Sequence, residues 1–235
     1  MSAWIAKRFW TDVNVLQDGA GFAIHLDTRP VKTPAKAPLI VPTRPMAQAI
    51  AEEWTKVDSV IDPNVMPFTR SANAAIDKVA EQFDEVAEII AAYGGSDLLC
   101  YRAENPEDLV SRQAAGWDPL LVWATETYGA ELRPTAGVMP IDQPATATAA
   151  LAAQVEATTP FELTALHDLV AMSGSLVIGL AVATGRLDPD TAWALSRIDE
   201  QWQIEQWGED DDALATARIK QSAFGHAAAF YRMSK

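Results

Sequence analysis

Residues 13–26 read VNVLQDGAGFAIHL, and this stretch decides the fold class. Val13 and Val15 alternate with polar positions, Asp18-Gly19-Ala20-Gly21 supplies turn residues, and Phe22, Ile24 and Leu26 resume the alternation. Period two puts one set of side chains on a single face of an extended chain, so the spacing predicts a β-hairpin. Beyond it, Pro30, Pro34, Pro38 and Pro42 limit the chain to short edge strands around Val31 and around Leu39–Val41, because proline has no N–H for a ladder. A small antiparallel sheet is the expectation.

From Thr43 the periodicity becomes helical. Pro45 suits a first turn, and Met46, Ile50, Trp54 and Val57 form one apolar face. The two prolines in 62–67 mark a loop. Ile76, Val79, Phe83, Val86, Ile90 and Tyr93 predict one long helix from Thr69 to Tyr93, stopped by Gly94-Gly95. Further helices are expected from an Asn105 cap, with Pro119 kinking or dividing that helix; from Pro144 to about Ala157; from Pro160 to Thr184; from Asp188-Pro189 through Trp193, Ile198, Trp202 and Trp207; and from the acidic run at 209–212 to near Phe230. One short strand fits in 131–142. The expected class is α+β: a small β-rich N-terminal domain over residues 1–70 and a multihelical C-terminal domain over 71–235, with the boundary inside 65–95.

Composition narrows the function. The chain has 235 residues, 49% of them hydrophobic and 21% charged, which suits a globular protein and excludes wholesale disorder. Its formal charge is −14, divided as +1 over residues 1–70 and −15 over 71–235. Nucleic-acid binding needs clustered positive charge, so no nucleic-acid partner is expected. The acidic part favours a basic or neutral partner. MSAWIAKRFW at the start has no apolar run of a secretory signal and is too short for a transit peptide. Residues 169–185 are uncharged and reach the lower limit of a membrane span, with Ala171, Ser175, Gly179 and Ala183 as a small-residue stripe. With His167-Asp168 directly before the run and no Lys or Arg cluster at its ends, a buried soluble helix is the expectation, without stable membrane insertion.

Chemistry is sparse. No phosphate loop, GxGxxG, HExxH or nucleophile elbow is present. His25, His167 and His226 share no ligand spacing, and the single cysteine excludes a disulfide and a cysteine-based zinc site, so no metal and no cofactor are expected. Cys100, between Leu99 and Tyr101, reads as a packed thiol rather than a nucleophile. His167-Asp168 reads as a helix-surface pair or as half of an acid–base couple. Glu52-Glu53, Asp199-Glu200 and Glu209-Asp210 read as solvated helix faces or as paired glycosidase carboxylates. No residue is assigned a catalytic role. The unusual region is 193–212, where Trp193, Trp202 and Trp207 lie among Asp199, Glu200, Glu205 and four further acids. Two readings stand: a protein-binding surface with aromatic anchors and charges that set register, or core tryptophans beside solvated acids.

Several motifs carry a resemblance that spans nearly the whole chain. KRFW at 7–10, LDTRPVKTPAKAPL at 26–39, ANAAIDKV at 72–79, YGGSDLLCYRA at 93–103, RQAAGWDPLL at 112–121, FELTALH at 161–167 and SRIDEQWQIEQWGED at 196–210 occur in order. Together they resemble the chaperone family that assembles the F1 sector of ATP synthase by binding its α subunit. The resemblance implies a non-enzymatic holdase with a small α+β N-terminal domain and a helical C-terminal domain, monomeric when free. It acts in the bacterial cytoplasm, the start of the chain close to KRFW leaving no long presequence, or in the mitochondrial matrix for eukaryotic relatives. It places functionally sensitive acids at Glu162 and Glu205, and less firmly at Asp199, Glu200 and Glu209, with Trp202 and Trp207 as candidate anchors. The alternatives are a general binding module for another client and an acid–base hydrolase using His167 and Asp168.

Overall fold

The computed structural model describes residues 7–137 and 139–235; the reading of the first ten residues as lacking a leader falls partly on 1–6, outside that set. Strands β1 (Val13–Asp18) and β2 (Gly21–Leu26) form the expected hairpin, in antiparallel register from Val13 opposite Leu26 to Asp18 opposite Gly21. The other edge of β2 is shared by β3 (Arg29–Pro30) and β4 (Ile40–Val41). Helix α1 (Arg44–Lys56) starts at Thr43, whose Oγ1 accepts the Met46 N–H at 3.3 Å, and buries Met46, Ala47, Ile50, Ala51 and Trp54. It packs on β1 and β2. The fold class is therefore α+β, as the periodicity predicts.

The chain divides into two compact units. The first comprises the described residues up to Phe83 together with Thr159–Ala165 and Ala229–Lys235; the second comprises Asp84–Thr158 and Leu166–Ala228. In the first unit, α2 (Pro67–Ala74) begins against α1: Glu53 accepts the Phe68 and Thr69 N–H groups at 2.6 and 2.8 Å and the Thr69 hydroxyl at 2.7 Å. A carboxylate at a helix N-terminus meets its unpaired donors and its positive dipole end. Burial nonetheless pushes the Glu53 carboxyl above its usual range, the three donors opposing it. Phe230, fully buried, lies between Phe68 and Phe161 at ring separations of 6.4 and 6.3 Å.

The long helix expected over 69–93 is divided. A π turn over Ala75–Val79 brings the Ala80 N–H to the Ala75 carbonyl at 2.9 Å, the chain turns through Ala80–Gln82, and α3 (Phe83–Ala91) follows. A five-residue ring displaces the helical ladder by one residue, so the stripe read at uniform spacing does not continue on one face.

In the second unit, β5 (Tyr101–Arg102) pairs in parallel with β6 (Thr135–Ala136), the one short strand expected in 131–142. Helix α4 (Glu107–Tyr128) is not capped by Asn105: Pro106 holds the cap position and no side chain accepts there, leaving Glu107 and Asp108 against the dipole. Pro119 does not divide it. The proline removes only the donor to the Ala115 carbonyl, and Ala115 and Pro119 both face solvent, where water can serve that carbonyl. After α5 (Ala145–Glu156), the single helix expected from Pro160 to Thr184 is two, α6 (Pro160–Ser173) and α7 (Leu176–Ala183). Gly174 adopts φ +74°, a left-handed conformation that glycine takes at little cost, and Ser175 Oγ caps α7 through the Ile178 N–H at 3.0 Å. The chain folds back on itself: a Cβ at Gly179 would lie 2.6 Å from Val170 Cγ2. Of the expected small-residue stripe, Gly179 serves this contact of α7 with α6, Ser175 is the cap between the two helices, and Ala171 is exposed. No helix of the described residues is long and apolar enough to cross a membrane.

The next expected helix is also two, α8 (Pro189–Ser196) and α9 (Ile198–Trp207), joined at Arg197; α10 (Asp211–Met233) ends the chain. Nothing in the local sequence breaks the helix at Arg197. The cause is tertiary. Trp117 Nε1 donates to the Leu195 carbonyl at 2.8 Å, taking the acceptor that would continue the ladder to Asp199, and bare Gly116 admits Leu195 and Ile198 closely.

Candidate functional site

Helix α9 carries most of the expected site, and only Ile198 of its residues is buried. Trp193, on α8, is core: it is 7% exposed and packs on Phe224 at 5.7 Å. Trp207, at the end of α9, is 80% exposed. The core reading therefore holds for Trp193 and not for Trp207. Trp202 is half-buried beneath the Arg112 guanidinium, 5.1 Å from its ring.

Arg112 is the organiser that the sequence did not reveal. From α4 it donates Nη1 and Nη2 to the two carboxylate oxygens of Glu205 at 2.8 and 2.9 Å. This bidentate pair holds the Glu205 carboxyl below its usual range and the guanidinium above its own. Next to it, buried Gln113 accepts the Ala103 N–H at 2.8 Å and donates Nε2 to Asp199 Oδ1 at 2.6 Å. One α4 side chain thereby ties the strand-to-helix connection to α9. Glu200 pairs with Arg197 one turn back. Glu209 is exposed beyond the end of α9, and Asp210 caps α10 through the Ala213 N–H at 2.8 Å.

Glu162 belongs to the first unit and not to this group. It forms a capping box at the start of α6, accepting the Thr159 N–H at 2.7 Å while its own N–H donates to Thr159 Oγ1 at 3.3 Å; Lys235 Nζ lies 3.9 Å away. The Thr159-Pro160-Phe161-Glu162 spacing is the signature of that box.

Four further residues have defined settings. Asp97, wholly buried, accepts the Leu99 and Val177 N–H groups at 3.0 Å each and so joins the 98–100 turn to the start of α7. Cys100 is buried beside it, and burial pushes its thiol up to about 12, the state of a packed, unreactive sulfur. His167 and Asp168 pair at 3.0 Å on α6, and the hydrogen bond to Asp168 raises the imidazole above its usual value. No group of three His, Cys, Asp or Glu side chains among the described residues can hold a metal ion.

Between α9 and the 101–106 segment lies an open groove of about 750 Å³. Leu109, Trp202 and Trp207 give it apolar walls, and Glu104 and Asp199 are its acids.

Residues 7–125 match the family model described as ATP12 chaperone protein. The crystal structure of Atp12 from Paracoccus denitrificans is 52% identical, covers 98% of this chain and 99% of its own, and superposes with a TM-score of 0.95. A protein of known structure from Agrobacterium tumefaciens is 44% identical, with 98% and 87% coverage and a TM-score of 0.92. The mitochondrial protein atp12 of Schizosaccharomyces pombe is 24% identical over 219 residues, 88% of this chain and 75% of its own length. The chain belongs to the ATP12 chaperone family.

Proposed function

We propose that this chaperone of ATP synthase assembly binds the free α subunit of F1, keeps it from aggregating, and releases it to β as the catalytic ring forms. The observation that carries the reading is Trp207 at the end of α9, which stands 80% exposed in an acidic stretch of sequence that includes Glu205 and Glu209. A large solvated indole next to charge is costly to leave open and suits an interface anchor. A lone α subunit exposes surface normally covered by its neighbour, an aggregation hazard. A holdase has to bury part of that surface and still leave. An apolar anchor inside a charged rim, in an interface of roughly 1,600 Å² in total, meets both demands. The charge of −15 over residues 71–235 speeds encounter with a basic patch and keeps free chaperones apart.

On this reading Trp202, Trp207, Asp199 and Glu209 make direct contact, Glu205 and Glu200 shape the face that presents them, and Glu162 sets the start of α6. The protein makes and breaks no bond, works as a monomer when free, and acts in the bacterial cytoplasm, where α is synthesised. The test is light scattering of purified α subunit with and without the chaperone. The wild type should suppress aggregation, and association should slow markedly as salt rises. Glu205→Lys should keep the global fold yet loosen α9 and protect poorly, since it sets a lysine against Arg112 and frees the guanidinium that covers Trp202. A wild type that leaves scattering unchanged removes the α subunit as client.

A further inference from the structure

We propose that the groove between α9 and the 101–106 segment seats a short extended stretch of the client in which one arginine or lysine lies between apolar side chains. The proposal rests on the client reading above and gives it a recognition chemistry. A volume of about 750 Å³ lies within the roughly 300–1,000 Å³ of sites that enclose a ligand of a few side chains. It is too small for a folded element and suits a peptide segment.

The lining specifies which segment. Its acids, Asp199 and Glu104, have no cationic partner among the described residues; Asp199 receives a hydrogen bond only from the neutral Gln113 amide. The one cation in the lining, Arg102, is already engaged. Its Nε donates to the Leu99 carbonyl at 2.7 Å, its Nη2 meets Asp118 at 2.8 Å, and its plane lies over Trp117 at 5.2 Å. Arg112 beside the groove is held by Glu205. The groove therefore presents negative charge that this chain does not neutralise, and an incoming cation meets no competitor. An arginine here would also gain from the exposed face of Trp207. The apolar neighbours of that cation would cover Leu109 and the indoles. Gln203 and Gln206, one helical turn apart, offer both amide donors and acceptors, which an extended backbone can use and a helical one, with its groups already paired, cannot.

The test uses the full chain with Gln206→Cys. Cys100 is buried and its thiol barely ionises at neutral pH, so a bulky maleimide labels position 206 alone. The control is the same label on Thr127→Cys, in the last turn of α4. The probe is a rhodamine-labelled peptide of alternating leucine and arginine, with a leucine–glutamate peptide beside it. Labelling position 206 should weaken leucine–arginine binding at least tenfold, labelling 127 should change it less than twofold, and the acidic peptide should not bind. A peptide that ignores the wild type, binds regardless of the label at 206, or binds equally well with glutamates overturns the proposal. In the α-subunit assay, groove-labelled protein that protects as well as unlabelled overturns it too and leaves the client reading intact. If the wild type does not protect α while the leucine–arginine peptide still responds to the label, the groove chemistry stands and the client is a different protein.

Discussion

Helices α7 and α9 lie in the same unit, eight and ten residues long, and are built on opposite terms. Every residue of α7 from Leu176 to Val182 is buried, and its start is held by a buried carboxylate and a serine cap. Of α9 only Ile198 is buried, and its order comes from two side chains of α4, Arg112 and Gln113. The difference fits the proposed division of roles. An apolar helix surrounded by protein is a piece of core, whereas a polar helix pinned from behind by hydrogen bonds keeps its front free. A surface meant to hold and release a client needs rigidity without burial.

Mutations should divide along the same line. The largest loss is expected from Asp97→Ala, which strands the Leu99 and Val177 N–H groups in the interior; at roughly 1–3 kcal/mol for each buried unmet donor, about 2–6 kcal/mol should disappear. Urea unfolding at unchanged m-value is the measurement, and a loss below 1 kcal/mol would deny Asp97 its part in fixing α7. Trp202→Ala on α9 should cost less. Full burial of an aromatic is worth about 3–5 kcal/mol, and this ring is half-buried, so about 1–2 kcal/mol is expected, with a larger effect on client protection than on stability. A loss above 3 kcal/mol would make α9 core after all.

Gly225 sharpens the comparison from α10. It is helical, and a Cβ there meets nothing within 4 Å. Gly225→Ala should therefore stabilise the protein by about 0.5–1 kcal/mol through helix propensity alone. Destabilisation would mean a packing constraint at that site. The smallest effect belongs to His167. Its imidazole is raised by Asp168, so the pair contributes fully below the unfolded value of about 6.5 and loses its contribution as pH rises through the higher folded value. Since the ring and its partner are both nearly half exposed, only a few tenths of a kcal/mol should vanish as pH rises from below about 6.5 through the raised folded value, and His167→Gln should flatten that slope.

How much of this was legible in the sequence depends on distance along the chain. The hairpin at 13–26, the Thr43 cap and the Asp188 cap are local patterns and were readable. The division at Gly174-Ser175 was also written locally, as a glycine followed by a capping serine, but the apolar run around it outweighed two residues. The break at Arg197 has no local signal, since it depends on Trp117, 78 residues away, taking the Leu195 carbonyl. The candidate site behaves likewise. Its acids and tryptophans crowd into 199–209 and stand out by composition, whereas Arg112 and Gln113, which orient them, lie 93 and 86 residues away. The Glu162 capping box is just as local, written in Thr159-Pro160-Phe161-Glu162, and leaves a partner role for Glu162 open to test.

From Asp211 to Ala223, α10 has no buried residue, and Ile219 is 72% exposed; from Phe224 onward the helix enters the interior. A helical stretch of about this length is only marginally stable by itself in water. Its order is therefore borrowed from the turn that begins at Phe224, and its amide protons should exchange with deuterated solvent progressively faster toward Asp211. Fraying of the Asp210-capped end would then leave the core around Phe224 in place.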